Sequence, residues 1–180
     1  LRSGEVDAVY IGLPNTLHRE YAVRALEAGV NVLCEKPMAT TEVECRDMIR
    51  AGEQSGAKLM IAYRLHFEPA NLKAVEIATD GTIGEPKVFS SVFTQTIEDG
   101  NIRVRQETGG GAVWDIGVYC VNAARYLFRC EPTEVMAWAA GHDEERFKSV
   151  PRTVSVQMRF PGDRLATFCC GLGEAKGDTD

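Results

Sequence analysis

Three residues of types that can share the movement of a proton stand at Lys36, Asp115 and Tyr119. Lys36 sits in Glu35-Lys36-Pro37, directly after the apolar run Val30-Asn31-Val32-Leu33-Cys34. A run that short reads as a buried strand, and open α/β sheets bind ligands beyond the carboxyl ends of such strands. The following proline disfavours a helical backbone at Lys36 and so aims its side chain. Asp115 and Tyr119 lie in Gly109-Gly110-Gly111-Ala112-Val113-Trp114-Asp115-Ile116-Gly117-Val118-Tyr119. Their spacing stacks them on one face of a helix, with Asn122 at the next turn. Three glycines let the backbone approach a ligand closely, and they open a helix N-terminus whose N–H groups favour an oxyanion or a sugar hydroxyl. Taking a hydride from a carbinol carbon also requires taking the hydroxyl proton, and this set offers donors and acceptors for it. A lysine or tyrosine accepts a proton near neutral pH only when its surroundings lower its pKa, so residue type alone leaves open which of the three is the base.

The elements that must position these groups follow from periodicity. Residues 6–11 read as a strand, Pro14-Asn15 as a turn, and 17–28 as a helix that Asn15 or Thr16 can cap and Gly29 ends. Residues 30–34 form the next strand, Thr41-x-x-Glu44 is a capping box opening a helix to about Gln54, and 58–63 is a third strand. Strands alternating with helices over such short connections predict parallel strands with crossover helices. Residues 1–62 therefore read as the second half of a Rossmann dinucleotide-binding domain. From Tyr63 the pattern changes. Glu68-Pro69 starts a helix, strands are expected over 87–96, 134–140, 153–160 and 164–170, and one helix over 112–128. Val154, Val156, Met158 and Phe160 alternate with polar residues, and Pro161-Gly162-Asp163 reads as a hairpin turn. The expected class is α/β over 1–62, followed over 63–180 by an α+β domain with an open, mostly antiparallel sheet.

Composition narrows the function classes. The 180 residues carry a net charge of −6 with no basic cluster, which argues against a nucleic-acid partner. No apolar stretch approaches the ~20 residues of a membrane span, so no membrane partner is expected. The six cysteines form no C-x-x-C pair, and the three histidines are far apart, so no metal site is expected. Free cysteines in apolar runs suit a reducing compartment, hence a cytoplasmic location, or a periplasmic one should a signal peptide precede Leu1. With no G-x-G-x-x-G and no closing element readable from Gly171 to Asp180, the chain reads as a fragment of a longer one that is not expected to bind a dinucleotide tightly by itself.

Glu35-Lys36-Pro37, the segment from Gly109 to Tyr119 and, upstream, Pro14-Asn15-Thr16-Leu17-His18, taken in this order, resemble the Gfo/Idh/MocA family of nicotinamide-dependent oxidoreductases, and within it the sugar oxidoreductases. The resemblance implies catalytic roles for Lys36, Asp115 and Tyr119, the tyrosine standing where several relatives have histidine. It implies cofactor contacts from Pro14, Asn15, His18, Glu35, Lys36 and Arg64, and substrate contacts from Arg105 and Asn122. Arg103 and Arg105 can pair with a sugar hydroxyl or a cofactor phosphate, or equally stand as solvated loop charges. The implied cofactor is NAD or NADP and the implied substrate a sugar or polyol. The implied assembly is a homodimer or homotetramer through the outer sheet face, where Ser155, Gln157, Arg159 and either Trp138 or Phe168 would lie. An NAD-dependent glycosidase of the same superfamily and a non-catalytic nucleotide-binding regulator are the rival readings.

Overall fold

The computed structural model describes residue 1 and residues 3–173, so the expected tail beyond Gly173 lies outside the described residues. Two compact units divide the chain: residues 1–63 together with 107–110, and residues 64–106 together with the chain from Gly111 onward.

In the first unit, β1 (Ala8–Ile11), β2 (Asn31–Cys34) and β3 (Leu59–Ile61) form a parallel sheet in the order β1-β2-β3, joined by α1 (His18–Glu27) and α2 (Glu42–Ser55). Strand alternation sends Ile11, Val32 and Cys34 into a core shared with Ala22, Ala25 and Leu26 of α1 and Met48 and Ala51 of α2. Tyr10, Leu33 and Met60 are exposed, consistent with both helices covering the same face of the sheet. The expected capping box is present, with Thr41 accepting from the Glu44 amide at 3.2 Å and Glu44 accepting from the Thr41 amide at 3.1 Å. The start of α1 differs from expectation: a 3-10 turn, Asn15–Leu17, precedes it, and no side chain caps either element. Asn15 and Thr16 are engaged elsewhere, donating to the carbonyls of Gly109 (2.8 Å) and Glu107 (3.3 Å).

In the second unit, α3 (Pro69–Thr79) is capped by Glu68, which accepts from the Asn71 amide at 2.9 Å. The strands β4 (Val88–Gln95), β5 (Glu134–Ala140), β6 (Thr153–Phe160) and β7 (Arg164–Leu172) form an open sheet in the order β4-β7-β6-β5. As the sequence implied, β5, β6 and β7 pair antiparallel, whereas β4 runs parallel to β7. That pairing needs a long crossover, and the intervening helix and two strands supply it. The helix expected over 112–128 is divided into a π-helical turn, Val113–Gly117, and α4 (Val118–Phe128). Ile116, Cys120, Ala124 and Phe128 pack with Val154, Val156, Met158, Phe160 and Phe168 in the core. Of the two aromatic alternatives for the outer face, Phe168 is thus buried while Trp138 is 59% exposed. Phe168 pairs in register with Val156, an inward position, which decides its side.

Candidate active site

In the first unit the candidate groups collect after β1 and β2, whose last residues, Ile11 and Cys34, are paired. The Glu35 amide extends this pairing, donating to the Ile11 carbonyl at 2.9 Å. Its carboxylate accepts from the Tyr10 hydroxyl at 2.6 Å and from the Lys36 amide at 3.2 Å. The hydrogen bond to Glu35, followed by desolvation and the charge of Glu35, raises the Tyr10 phenol above its usual range. Burial, with a smaller effect of Glu35, pushes the neighbouring Cys34 thiol up to about 12. Lys36 itself is half-buried, and its peptide bond to the buried Pro37 is cis. Two members of the expected cofactor set point their polar atoms elsewhere. His18 is fully buried, with Nδ1 2.8 Å from the Pro37 carbonyl and Nε2 2.9 Å from the Leu13 carbonyl. The Asn15 side-chain nitrogen donates to Gly109, as described above. Pro14 is half-buried and closes the 3-10 turn by accepting from the Leu17 amide at 2.9 Å. Arg64 belongs to the other unit, where it is exposed at the start of the 3-10 turn Arg64–Phe67.

In the second unit Asp115 is buried within the π turn, a feature that recurs at functional sites. Arg103 holds this segment in two ways. Its Nε lies 2.9 Å from Asp115 Oδ2, an ion pair whose N–H is directed off the line to the oxygen. Its carbonyl accepts from the Gly111 amide at 2.8 Å, and the Gly111 carbonyl accepts from the Asp115 amide at 3.1 Å. Tyr119 is half-buried on the first turn of α4, its ring centroid 6.0 Å from that of Phe93 on β4. Tyr119 and Asn122 line a largely apolar cavity of about 260 Å³ together with Leu65, His66, Phe89 and Tyr126. Asn122 also accepts from Arg125 at 3.3 Å. Arg105 is exposed and donates to the Gly100 carbonyl at 3.3 Å.

At the triple glycine the structure shows a close approach to protein that the sequence does not announce. Gly109 has φ +75°, and a Cβ there would stand 2.7 Å from Thr40 Cγ2 and 2.9 Å from Asn15 Cβ. Close approach to protein therefore requires this glycine, and the Gly111 amide is occupied by Arg103. Two pairings escaped sequence reasoning, Tyr10 with Glu35 and Arg103 with Asp115. The first was legible in principle, since parallel register and alternation put residues 10, 33 and 35 on one face. The second joins an irregular segment to a π turn, and no periodicity signals either.

Among the described residues no group of three or more His, Cys, Asp or Glu is arranged to hold a metal ion, and no helix is long and apolar enough to cross a membrane. Comparison with known proteins matches residues 1–63 to the oxidoreductase family with an NAD-binding Rossmann fold, and residues 71–179 to the GFO/IDH/MocA C-terminal domain. A D-xylose 1-dehydrogenase [NADP(+)] of Haloarcula marismortui is 39% identical over 167 residues, covering 89% of this chain and 46% of that protein. The crystal structure of an aldose-aldose oxidoreductase from Caulobacter crescentus complexed with glycerol is similar at a TM-score of 0.90 and 38% identity, over 94% of this chain and 51% of that one. A 3-ketoreductase from Actinomadura kijaniata, in complex with NADP and TDP-benzene, gives a TM-score of 0.86 at 32% identity, over 97% and 53%. The chain thus spans about half the length of the relatives it matches. A parallel half-sheet followed by an open mixed sheet, each matching its own family model in the same order along the chain, assigns it to the Gfo/Idh/MocA family of oxidoreductases.

Proposed function

We propose that the complete protein transfers a hydride between a CH–OH group of a sugar or polyol and NAD(P), as sugar oxidoreductases of the glucose-fructose oxidoreductase kind do. The observation that carries this reading is the position of Glu35 and Lys36 immediately after β2, beside the paired end of β1, because dinucleotides cross parallel sheets at their carboxyl ends. Relatives named for xylose and aldose chemistry support a sugar or polyol as substrate.

Glu35, Lys36 and the loop 12–15 fit the nicotinamide end of a dinucleotide, since Gly12 and Leu13 are exposed and Lys36 is only half-buried. Arg64 is a further cofactor contact in this reading. Asn15 and His18 contribute by shaping the loop, their side-chain nitrogens facing backbone carbonyls. NAD(P) supplies the hydride acceptor or donor. The chain's own task is the proton: oxidation of a carbinol releases a hydroxyl proton, and reduction of a carbonyl takes one up. Lys36 and Tyr119 are the groups we assign to orient that oxygen and exchange its proton. Asp115, held by Arg103, completes the set as an acceptor whose position is fixed by the π turn. Asn122 and Arg105 are assigned to other substrate hydroxyls. Assembly as a homodimer or homotetramer through the outer sheet face is part of the proposal, with exposed Val92, Met136 and Trp138 offering the apolar surface.

The test is a panel of free aldoses, polyols and aryl glycosides, each supplied to the purified complete protein with NAD or NADP. Reduced nicotinamide formed with a free sugar or polyol is the expected result. Cofactor-dependent cleavage of the aryl glycosides without net reduction, or tight NAD(P) binding with no turnover, would instead support the glycosidase or the regulator.

A further inference from the structure

His18 is the first residue of α1 and 0% exposed. Its two ring nitrogens lie 2.8 and 2.9 Å from the carbonyl oxygens of Pro37 and Leu13, groups that only accept hydrogen bonds. Neither nitrogen faces a surface from which a ligand could reach it. A neutral imidazole donates through one ring nitrogen only, so it is the Nδ1–H tautomer that ties the helix start after β1 to the carbonyl one residue past Lys36. Lys36 is consequently held from both sides, its amide by the Glu35 carboxylate and the next carbonyl in the chain by His18. The anchor behind His18 is rigid, because Ala22, Ala25 and Leu26 of the same helix are buried against the sheet.

We propose that His18 is a positioning residue that aims Lys36 through the Pro37 carbonyl and touches neither cofactor nor substrate. The proposal rests on the reading of Lys36 as a catalytic group. Such a residue should affect turnover rather than cofactor affinity, since a small misplacement of a reacting group slows the chemical step. It should also lose its effect once Lys36 is gone, because coupled sites are non-additive.

Two measurements on the complete protein test this. The first is a double-mutant cycle of His18→Ala with Lys36→Ala, scored by kcat and by the Kd of NAD(P) from calorimetric titration, which also gives the fraction of folded sites. His18→Ala is expected to lower kcat by about 10-fold or more with Kd within about threefold, and by less than about twofold once Lys36 is already alanine. His18→Gln, which keeps one side-chain N–H donor, should recover part of kcat and serves as the variant of record should His18→Ala fail to fold. The second is amide hydrogen exchange, which needs no turnover: exchange at residues 35–38 should accelerate in the His18 variant while that of α2 stays near wild type. A rise in Kd at unchanged kcat would make His18 a cofactor contact and overturn the proposal. So would full additivity in the cycle, or acceleration spread equally through α1 and α2. Normal kcat in Lys36→Ala alone would refute the assignment of Lys36, and the exchange data would still report whether His18 holds the segment.

Discussion

Replacing Gly109 with alanine isolates the contact that ties residues 107–110 to the first unit. At φ +75° an L-residue is left-handed, which costs about 1–2 kcal/mol for a non-glycine side chain. The new methyl would stand 2.7 Å from Thr40 Cγ2 and 2.9 Å from Asn15 Cβ, closer than carbon atoms approach, and overpacking of this kind costs about 1–3 kcal/mol. Together the two effects come to roughly 2–5 kcal/mol. The segment is held in part by the Asn15 and Thr16 hydrogen bonds, each contributing about 1 kcal/mol. Peeling of the segment is therefore the cheaper response, and the loss should appear locally before it appears in global unfolding. Amide exchange and limited proteolysis across residues 105–112 are the assays, with a urea midpoint as control. Gly109→Ala should expose this stretch, and adding Thr40→Ser should restore about 1 kcal/mol by removing Cγ2 while keeping the hydroxyl that donates to Glu44 at 2.7 Å. Unchanged protection at 107–110 in Gly109→Ala, or indifference to Thr40→Ser, would refute the steric reasoning.

Two further outcomes follow from the titrating groups. Desolvation works to raise the Glu44 carboxyl, but hydrogen bonds from the side chains and amides of Thr40 and Thr41 outweigh it, so its pKa is lowered in the fold. A lowered carboxyl contributes stability above its unfolded value of about 4.3 and loses it as pH falls through the folded value, so the stability gap between wild type and Glu44→Gln, measured by urea unfolding, should shrink in acid. A gap independent of pH would contradict the assignment. Burial pushes the Cys34 and Cys170 thiols up to about 12, with smaller effects of Glu35 on the first and of Cys120 and Cys169 on the second. Relative to an ordinary thiol they should hold on the order of 10³-fold less thiolate and resist alkylation at pH 8 in the native protein, as read by mass spectrometry. Rapid labelling of either would show that the core opens.

Elements announced by local signals were legible in the sequence. The capping box at Thr41 and Glu44, the proline opening α3 and the alternation along β6 act through neighbours a few residues away, and each appears where its pattern puts it. What depended on distant partners was not legible. Asn15 has the right chemistry for a helix cap, yet its partner is Gly109, 94 residues on. A histidine after a turn suits a ligand contact, but full burial between two carbonyls is set by how α1 packs against the segment following β2. The π turn carries Asp115 without a sequence signature, and β4 pairs parallel with β7 because topology rather than strand composition selects its neighbour. Lys36, Asp115 and Tyr119 could be singled out by residue type and order, whereas Arg103 as the partner of Asp115 could not.

The most direct test of the proposed chemistry is steady-state turnover of Lys36→Ala and Tyr119→Phe in the complete protein, with the Kd of NAD(P) measured alongside. Loss of a proton-transfer group should lower kcat by roughly 10²-fold or more in each variant, while the Kd stays near wild type in Tyr119→Phe, which removes no cofactor contact. Near-normal turnover in both, on a substrate that the wild-type protein oxidises, would make these residues structural and contradict the proposed oxidoreductase site.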